Sequence, residues 1–437
     1  VRQEELRIDA TGRWRIDRQR LASAANSKGP TMLSKPMQRE NRGHKTAHAA
    51  ARMALLTLAL GALVHAAEPE ILIGASIPLS GSLASFGSYE QWGYNTAVND
   101  LNKAGGLLIG GQPHRVRLIV LDDKSDPSVT QSNTETLISR EKVVAMLGSC
   151  TPALVNAGAL VAERHKIPMV TPCDPLMAFK SVRPWKYVWD IFFEESDLGS
   201  APFRMIADLN IQTNRRAVIL HDNGPDGQVV GGQIWPEVAA KSQIQIVQNS
   251  AFPVDNSQFT SVIGAGKSNG AELVLVDAIT PAAIAIRKQL AAAGYQPKLL
   301  VIEKGAEPQQ FAQALASLAD GVLVGGYWDP SFPYPGAADL ARRFESETHQ
   351  SSSQHIADTL TAAQVLLDAI AAAGSTDPEP INAALARTSK TYVTGPVKFD
   401  AQHASALPIV LMQWQRGRAV VVWPKNRANG TLLFPLP

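Results

Sequence analysis

At 437 residues, 45% hydrophobic and 18% charged, the chain can bury a sizeable core and exceeds the length of one ordinary domain. Its 41 Lys and Arg nearly balance 39 Asp and Glu, but residues 1–67 hold 12 basic against 5 acidic side chains, so the remainder is mildly acidic. That distribution excludes the broad basic surface of a general nucleic-acid-binding protein.

The first element in chain order is a leader. Residues 53–64 form a continuous apolar run preceded by Arg39, Arg42, Lys45 and Arg52, and the run ends in Val64-His65-Ala66-Ala67. It is too short to span a bilayer, so it reads as the apolar region of a signal peptide, cleaved after Ala66 or Ala67. Residues 1–36 are polar, Arg-rich and aperiodic and are expected to be disordered or to precede the true start at Met32 or Met37. No other apolar stretch is expected to span a membrane, and no Cys follows the leader to carry a lipid. The mature product is expected free in the periplasm. Cys150 and Cys173 fall at strand ends, where export permits a disulfide and two buried thiols are the alternative.

From residue 71 onward short apolar segments alternate with longer amphipathic ones, the pattern of an α/β protein with parallel sheets. Strands are expected at 71–79, 116–122, 143–147 and 168–171. A second series is expected at 217–221, 244–249, 273–277, 299–302 and 322–327. Helices are expected at 89–103, 128–140, 153–165, 281–293 and 308–318. The first series closes at 182–189, where Pro184 interrupts, so two series of similar size suggest two similar lobes. The tail adds helices at 337–349 and 355–373, then strands at 396–399 and 407–422 with a hairpin at Gln415-Arg416-Gly417-Arg418. Ligands in open parallel sheets bind beyond the carboxyl ends of the strands, which selects the turns 148–153, 172–176, 223–227, 278–281 and 303–307.

Signatures of catalysis are missing from the sequence: there is no G-x-S-x-G elbow, no H-E-x-x-H, and the nine His show no metal-ligand spacing. Gly264-Ala265-Gly266-Lys267-Ser268 superficially resembles a phosphate loop, but Ser261 stands where the first Gly is required and the segment reads as the end of a helix. The expectation is a protein that is not an enzyme and that uses no metal or cofactor.

The order Pro78-Leu79-Ser80-Gly81, Phe86-Gly87, Asn102 to Gly105-Gly106 and Asp122-Asp123-Lys124-Ser125-Asp126-Pro127 resembles the branched-chain amino-acid-binding proteins of ABC transporters, the type I periplasmic binding proteins. The likeness continues through Gly148, Ile167-Pro168, Gly294-Tyr295 and Gly395-Pro396-Val397-Lys398-Phe399-Asp400, covering essentially residues 69–424. It implies an α/β fold of two Rossmann-like lobes with parallel sheets joined by three crossovers. Residues 68–190 plus 329–405 would form one lobe and 191–328 plus 406–437 the other.

Carried over residue by residue, the aromatic over the ligand falls on Phe86. The hydroxyl turn that holds a ligand carboxylate falls on Ser149, Cys150, Thr151 and Ala153, with Pro152 at the usual Ser position. The following turn reads Cys173-Asp174. In the second lobe, Asp226, Ile279 and Thr280 take the positions of two further ligand-contacting turns. The glutamate that pairs with an amino acid's ammonium falls on Glu303-Lys304, with Lys304 in register and Glu303 one residue off. A Lys facing the cleft would favour a carboxylate, and aromatics near the crossovers, Trp328 among them, could stack a ring. The resemblance therefore implies a monomeric solute-binding protein that closes on an aromatic or otherwise apolar carboxylic acid and passes it to a permease and its ATPases. An amino-acid or amide ligand, a sensory receptor of the same fold, and an enzyme on this scaffold are the alternatives.

Overall fold

The computed structural model describes residues 70–437 and, upstream, two three-residue strands. The upstream unit by itself holds Leu6–Ile8 (β1) paired antiparallel with Trp14–Ile16 (β2) in the register Leu6↔Ile16, Ile8↔Trp14. Each strand alternates apolar, Arg, apolar, a period-two pattern. The apolar leader at 53–67 lies outside the described residues.

The second unit begins with the Glu70–Ile77 strand (β3), whose last five residues are all buried. It is followed by Leu107–Ile109 (β4), Gln112–Asp122 (β5), Ala145–Leu147 (β6), Met169–Thr171 (β7) and Val188–Phe192 (β8). These six strands, with Ala404–Ala406 (β16) from the tail, make a seven-stranded sheet in the order β16-β8-β7-β6-β3-β5-β4, parallel except for β4. Helices Ala84–Lys103, Pro127–Ser139, Pro152–His165 and Leu176–Val182 connect them.

The opening motifs build the turns at the strand ends. Asp122 accepts the Ser80 amide (3.1 Å) and hydroxyl (2.6 Å), and Ser125 Oγ returns a bond to the Ser80 carbonyl. Asp126 caps the helix Pro127–Ser139 by accepting the Ser128 amide, with Pro127 at the first helical position, where a missing N–H costs nothing. Gly81 has φ +87, and a Cβ there would lie 2.4 Å from the Lys124 carbonyl oxygen; Gly87 sits so close to the Pro78 carbonyl that its Cβ would be 2.1 Å from that oxygen. Half of the resemblance motif is therefore steric: it lets the chain after β3 fold back over the end of its own strand.

Arg216–Asp222 (β9), Gln245–Phe252 (β10), Leu273–Ala278 (β11), Leu299–Lys304 (β12) and Leu323–Gly326 (β13) form the parallel part of a second sheet, ordered β10-β9-β11-β12-β13-β17-β18. The last two, Val410–Gln415 (β17) and Arg418–Trp423 (β18), are antiparallel and form the expected hairpin. Its turn puts Arg416 and Gly417 at φ +53 and +77, as a two-residue hairpin with right-handed strand twist requires. The chain passes between the sheets three times, after β8, after β13 and after β16, which gives the two-lobed fold with three crossovers. A short antiparallel pair, Ser389–Tyr392 (β14) with Gly395–Lys398 (β15), stands apart from both sheets.

Three features were unread or misread. β8 is a strand although Asp190 breaks its apolar run. The helix Glu195–Asp208 carries Pro202 inside it, a residue that argues against a helix. The helix Gln354–Ala373 is long and apolar enough to cross a membrane by length and composition, contrary to expectation, but 72% of that stretch is buried against the first sheet and the helix Ala84–Lys103. It is a core helix. The phosphate-loop lookalike lies within the helix Thr260–Ser268, as read.

Gly87→Ala is expected to destabilise the fold by about 1–3 kcal/mol, because the Pro78 backbone cannot yield as a flexible side chain can. Denaturant unfolding of the purified variant would measure it, and unchanged stability would refute the close approach.

Candidate functional site

The carboxyl ends of β6 and β7 present one wall. After β6 the chain turns at Thr151, held at φ 70 and ψ 146 before Pro152 opens the helix to His165. The Thr151 amide donates to the Cys173 carbonyl (3.1 Å), and Cys150 is bridged to Cys173 by a disulfide, so two turns 23 residues apart are tied twice. Phe86 adds its ring from the helix Ala84–Lys103 and meets the His355 ring edge-on, with centroids 5.0 Å apart.

The ends of β9, β11 and β12 present the opposite wall. Here Asp222, Asp226 and Asp277 converge on one ammonium: Lys304 Nζ lies 2.7, 2.8 and 3.0 Å from their carboxylate oxygens. Lys304 itself is at φ +60 and only 11% exposed at the side chain. Burial opposes its charge, but Asp226, Asp277 and Asp222 outweigh that and hold its pKa well above the usual lysine range. Burial pushes Asp277 up to about 7 against the attraction of Lys304, and it raises Asp222 as well. The three aspartates are close enough to share a divalent cation, and the ammonium takes that place.

Between the walls is one narrow cavity, with about 30 Å³ accessible to the centre of a water-sized sphere. Its apolar lining is Phe86, Phe192, Phe193, Leu198, Val230, Pro152 and Pro175, and its polar lining includes Thr151, Asp226, Asp277, Glu303, Lys304, Glu307 and His355. Glu303 is fully buried; Oε2 accepts the Gly325 amide (2.7 Å) while Oε1 has no protein partner. Burial raises its pKa well above the carboxylate range, against the Gly325 bond. His355 Nε2 faces Glu307 Oε2 at 2.6 Å and Nδ1 faces Asp358 Oδ2 at 3.1 Å.

Of the residues singled out from the sequence, Phe86, Cys150, Thr151, Cys173, Asp226, Glu303 and Lys304 line this cavity. The other six do not. Ser149 turns inward, its hydroxyl donating to Asp123 at 3.0 Å, and Ala153 points to solvent from the first helical turn. Asp174 is wholly buried, and burial with repulsion from Glu195 and Asp226 raises its pKa well above the usual range. Ile279 and Thr280 are buried at the start of the helix Thr280–Ala292. Trp328 donates to the Val393 carbonyl and lines a different cavity, shared with Trp414, Arg418 and Asn429.

Sequence reasoning did not single out Asp277, Glu307 or His355 as site residues. Asp277 ends its expected strand one residue before the selected turn 278–281, and Glu307 closes the selected turn 303–307 without having been singled out. His355 had no such signal, since a crossover some 50 residues after β12 delivers it. The largest correction concerns Lys304, whose charge is already met by three aspartates and is not free to face a ligand carboxylate.

Residues 70–419 match the family described as periplasmic binding protein. The chain is 24% identical over 405 residues to Leu/Ile/Val-binding protein homolog 8 of Brucella abortus, spanning 87% of this chain and 97% of that protein. Its fold is similar to that of a leucine-binding protein from Thermotoga maritima (TM-score 0.72, 21% identity, 80% of this chain and 97% of that one). It is also similar to a solute-binding protein of an ABC transporter from R. palustris in complex with benzoate (TM-score 0.70, 20% identity, 81% and 95% covered).

Replacing Lys304 with Met is expected to lower stability by about 3–5 kcal/mol, since it strands three buried carboxylates. The loss should be smaller at pH 5 than at pH 8, because a buried acid with a raised pKa is neutral at low pH and repels its neighbours only when ionised. Thermal unfolding across pH would record both effects, and a variant as stable as the parent would mean the ammonium does not hold the cluster.

Proposed function

The chain belongs to the periplasmic binding protein family, and on that footing we propose that it captures a small ligand between two lobes and delivers it to an ABC importer. Such proteins are not enzymes. They work outside the cytoplasm, and contacts from both walls favour the closed arrangement of the lobes. We assign residues 68–190 plus 329–405 to one lobe and 191–328 plus 406–437 to the other, with the leader directing export and removed afterwards. Sheet membership supports the division, β16 lying in the first sheet and β17 with β18 in the second.

The ligand we propose has an apolar or aromatic body and a head group that donates hydrogen bonds, an ammonium or an amide. One observation carries this reading: both cations lining the cavity, Lys304 and His355, are already enclosed by carboxylates, while Glu303 keeps a bare buried oxygen. A donor head would satisfy that oxygen, which otherwise incurs the cost of an unmet buried polar group. Phe86, Phe192 and Phe193 suit the body.

The second reading is the aromatic carboxylic acid. The same three rings favour it, as does the benzoate bound to the R. palustris protein. It requires Glu303 to stay protonated and donate to the ligand.

The readings differ in the sign of their pH dependence. Titration calorimetry with leucine, phenylalanine, phenylacetamide and benzoate from pH 5 to 8 is the test. An ammonium ligand needs ionised Glu303, whose pKa is raised, so affinity should climb with pH and binding should release a proton. Tight benzoate binding that weakens as pH rises would replace the first reading by the second.

A further inference from the structure

His355 and Glu307 come from different parts of the fold. His355 begins the helix Gln354–Ala373, which packs on the first sheet and on the helix Ala84–Lys103. Glu307 follows β12 of the second sheet. Their side chains meet in the cavity wall at 2.6 Å, with side-chain exposures of 3% and 6%. Beside them the Gln309 amide donates to the Tyr89 hydroxyl (3.1 Å), a second link from the segment after β12, here to the helix Ala84–Lys103.

The ring geometry fixes the protonation state this contact needs. Nε2 faces a Glu307 oxygen and Nδ1 faces Asp358 Oδ2, so with both carboxylates ionised both nitrogens donate and the ring is an imidazolium. The Tyr327 hydroxyl, 3.1 Å from Nδ1, also donates to Asp358 and leaves that position to the carboxylate.

We propose that His355 and Glu307 are positioning residues forming a proton-dependent clasp, which joins the two lobes across the cleft and sets how much of the protein is closed. The clasp rests on the two-lobe reading above but on no particular ligand.

The groups around His355 support it. Glu307 approaches from the second-sheet side and Asp358 from the same helix. Tyr327 comes from the second crossover, and Phe86, Tyr89 and Glu90 come from the helix Ala84–Lys103. No cation stands among these residues to compete for the two carboxylates. Burial lowers the affinity of the ring for its proton, but Asp358 and Glu307 more than reverse this and push its pKa up to about 10. Burial raises Glu90 and Asp358 while His355 draws both down, so His355 is the cation that this cluster and Glu307 share. Opening removes Glu307 from the ring and lowers the pKa. Closing therefore takes up a proton at alkaline pH: Asp358 stays beside the ring when Glu307 leaves, so the stabilisation is complete below the open-state value and is lost as pH rises through about 10.

The full chain offers a direct test, because its two cysteines are bridged and leave no free thiol. Leu108→Cys, exposed on β4, and Lys241→Cys, exposed beside the second sheet, would carry a donor and an acceptor dye. Single-molecule energy transfer then gives the closed-to-open ratio without added ligand. We expect that ratio to fall at least about fivefold between pH 7 and 10.5, a coupling at the low end of those that bias two-state proteins. Glu307→Gln should show the low ratio already at pH 7 and little further change. Two populations unmoved by pH overturn the clasp but leave lobe closure standing; a single distance under all conditions overturns both. Should Glu307→Gln not fold, the pH series on the parent protein decides alone.

Discussion

A lysine surrounded by three aspartates is the interaction on which the second wall of the cleft depends. Parallel strands all end on the same side, so residues at the ends of β9, β11 and β12 converge whether or not their charges agree. Three carboxylates brought together and taken out of water would repel one another and force one or more to neutralise. Lys304, at the end of β12, supplies the opposing charge at 2.7–3.0 Å from each. Its left-handed backbone turns the side chain back into the cluster rather than outward along the strand. The arrangement does with an ammonium what an acid-lined site elsewhere does with a metal ion.

The rest of the polar interior follows the same logic with less symmetry. Asp174, Asp190, Glu90 and Glu303 are buried with one or more oxygens unbonded to protein, and burial raises the pKa of each. These acids lie on both sides of the cleft, so the region between the lobes tends toward neutrality by holding protons. Of these acids only Glu303 lines the cavity, where a carboxyl that holds a proton offers hydrogen bonding more than full charge. The acids together also link occupancy to proton uptake or release wherever a ligand or a neighbouring lobe alters the burial of one of these groups.

The fold was legible because its signals are local and repeated. Alternating strands and helices, the Asp126-Pro127 helix start and the Arg416-Gly417 hairpin each follow from a few adjacent residues. Phe86-Gly87 was legible for a mixed reason, Phe86 facing the cavity and Gly87 being required by the Pro78 backbone. The site was only half legible. Strand-end reasoning brought Asp226, Glu303 and Lys304 to the cleft, but a free lysine and a neutralised one read alike in sequence. Which side of a turn faces the ligand was equally hidden: Cys150 and Thr151 point into the cavity, and Ser149 between the same two strands points to Asp123. His355 was beyond reach, since a fully buried histidine on an apolar helix gives no sign of the carboxylate that meets it from another sheet. The helix Glu195–Asp208 shows the converse, a proline that would mark a break tolerated where packing against the second sheet outweighs it.

The disulfide between Cys150 and Cys173 makes the two jaws of the cleft mechanically unequal. On one side, the turns after β6 and β7 are a covalent ring, braced further by the Thr151 amide, and cannot spread apart when a ligand presses on them. On the other, the turns after β9, β11 and β12 are held by ion pairs that can lengthen and re-form. The cleft thus has an anvil and a compliant hammer, and any change in its shape falls on the aspartate–lysine side. Because the anvil exists only once the bridge has formed, a chain held in a reducing compartment would have the fold's strands and helices but not the stiff half of its grip.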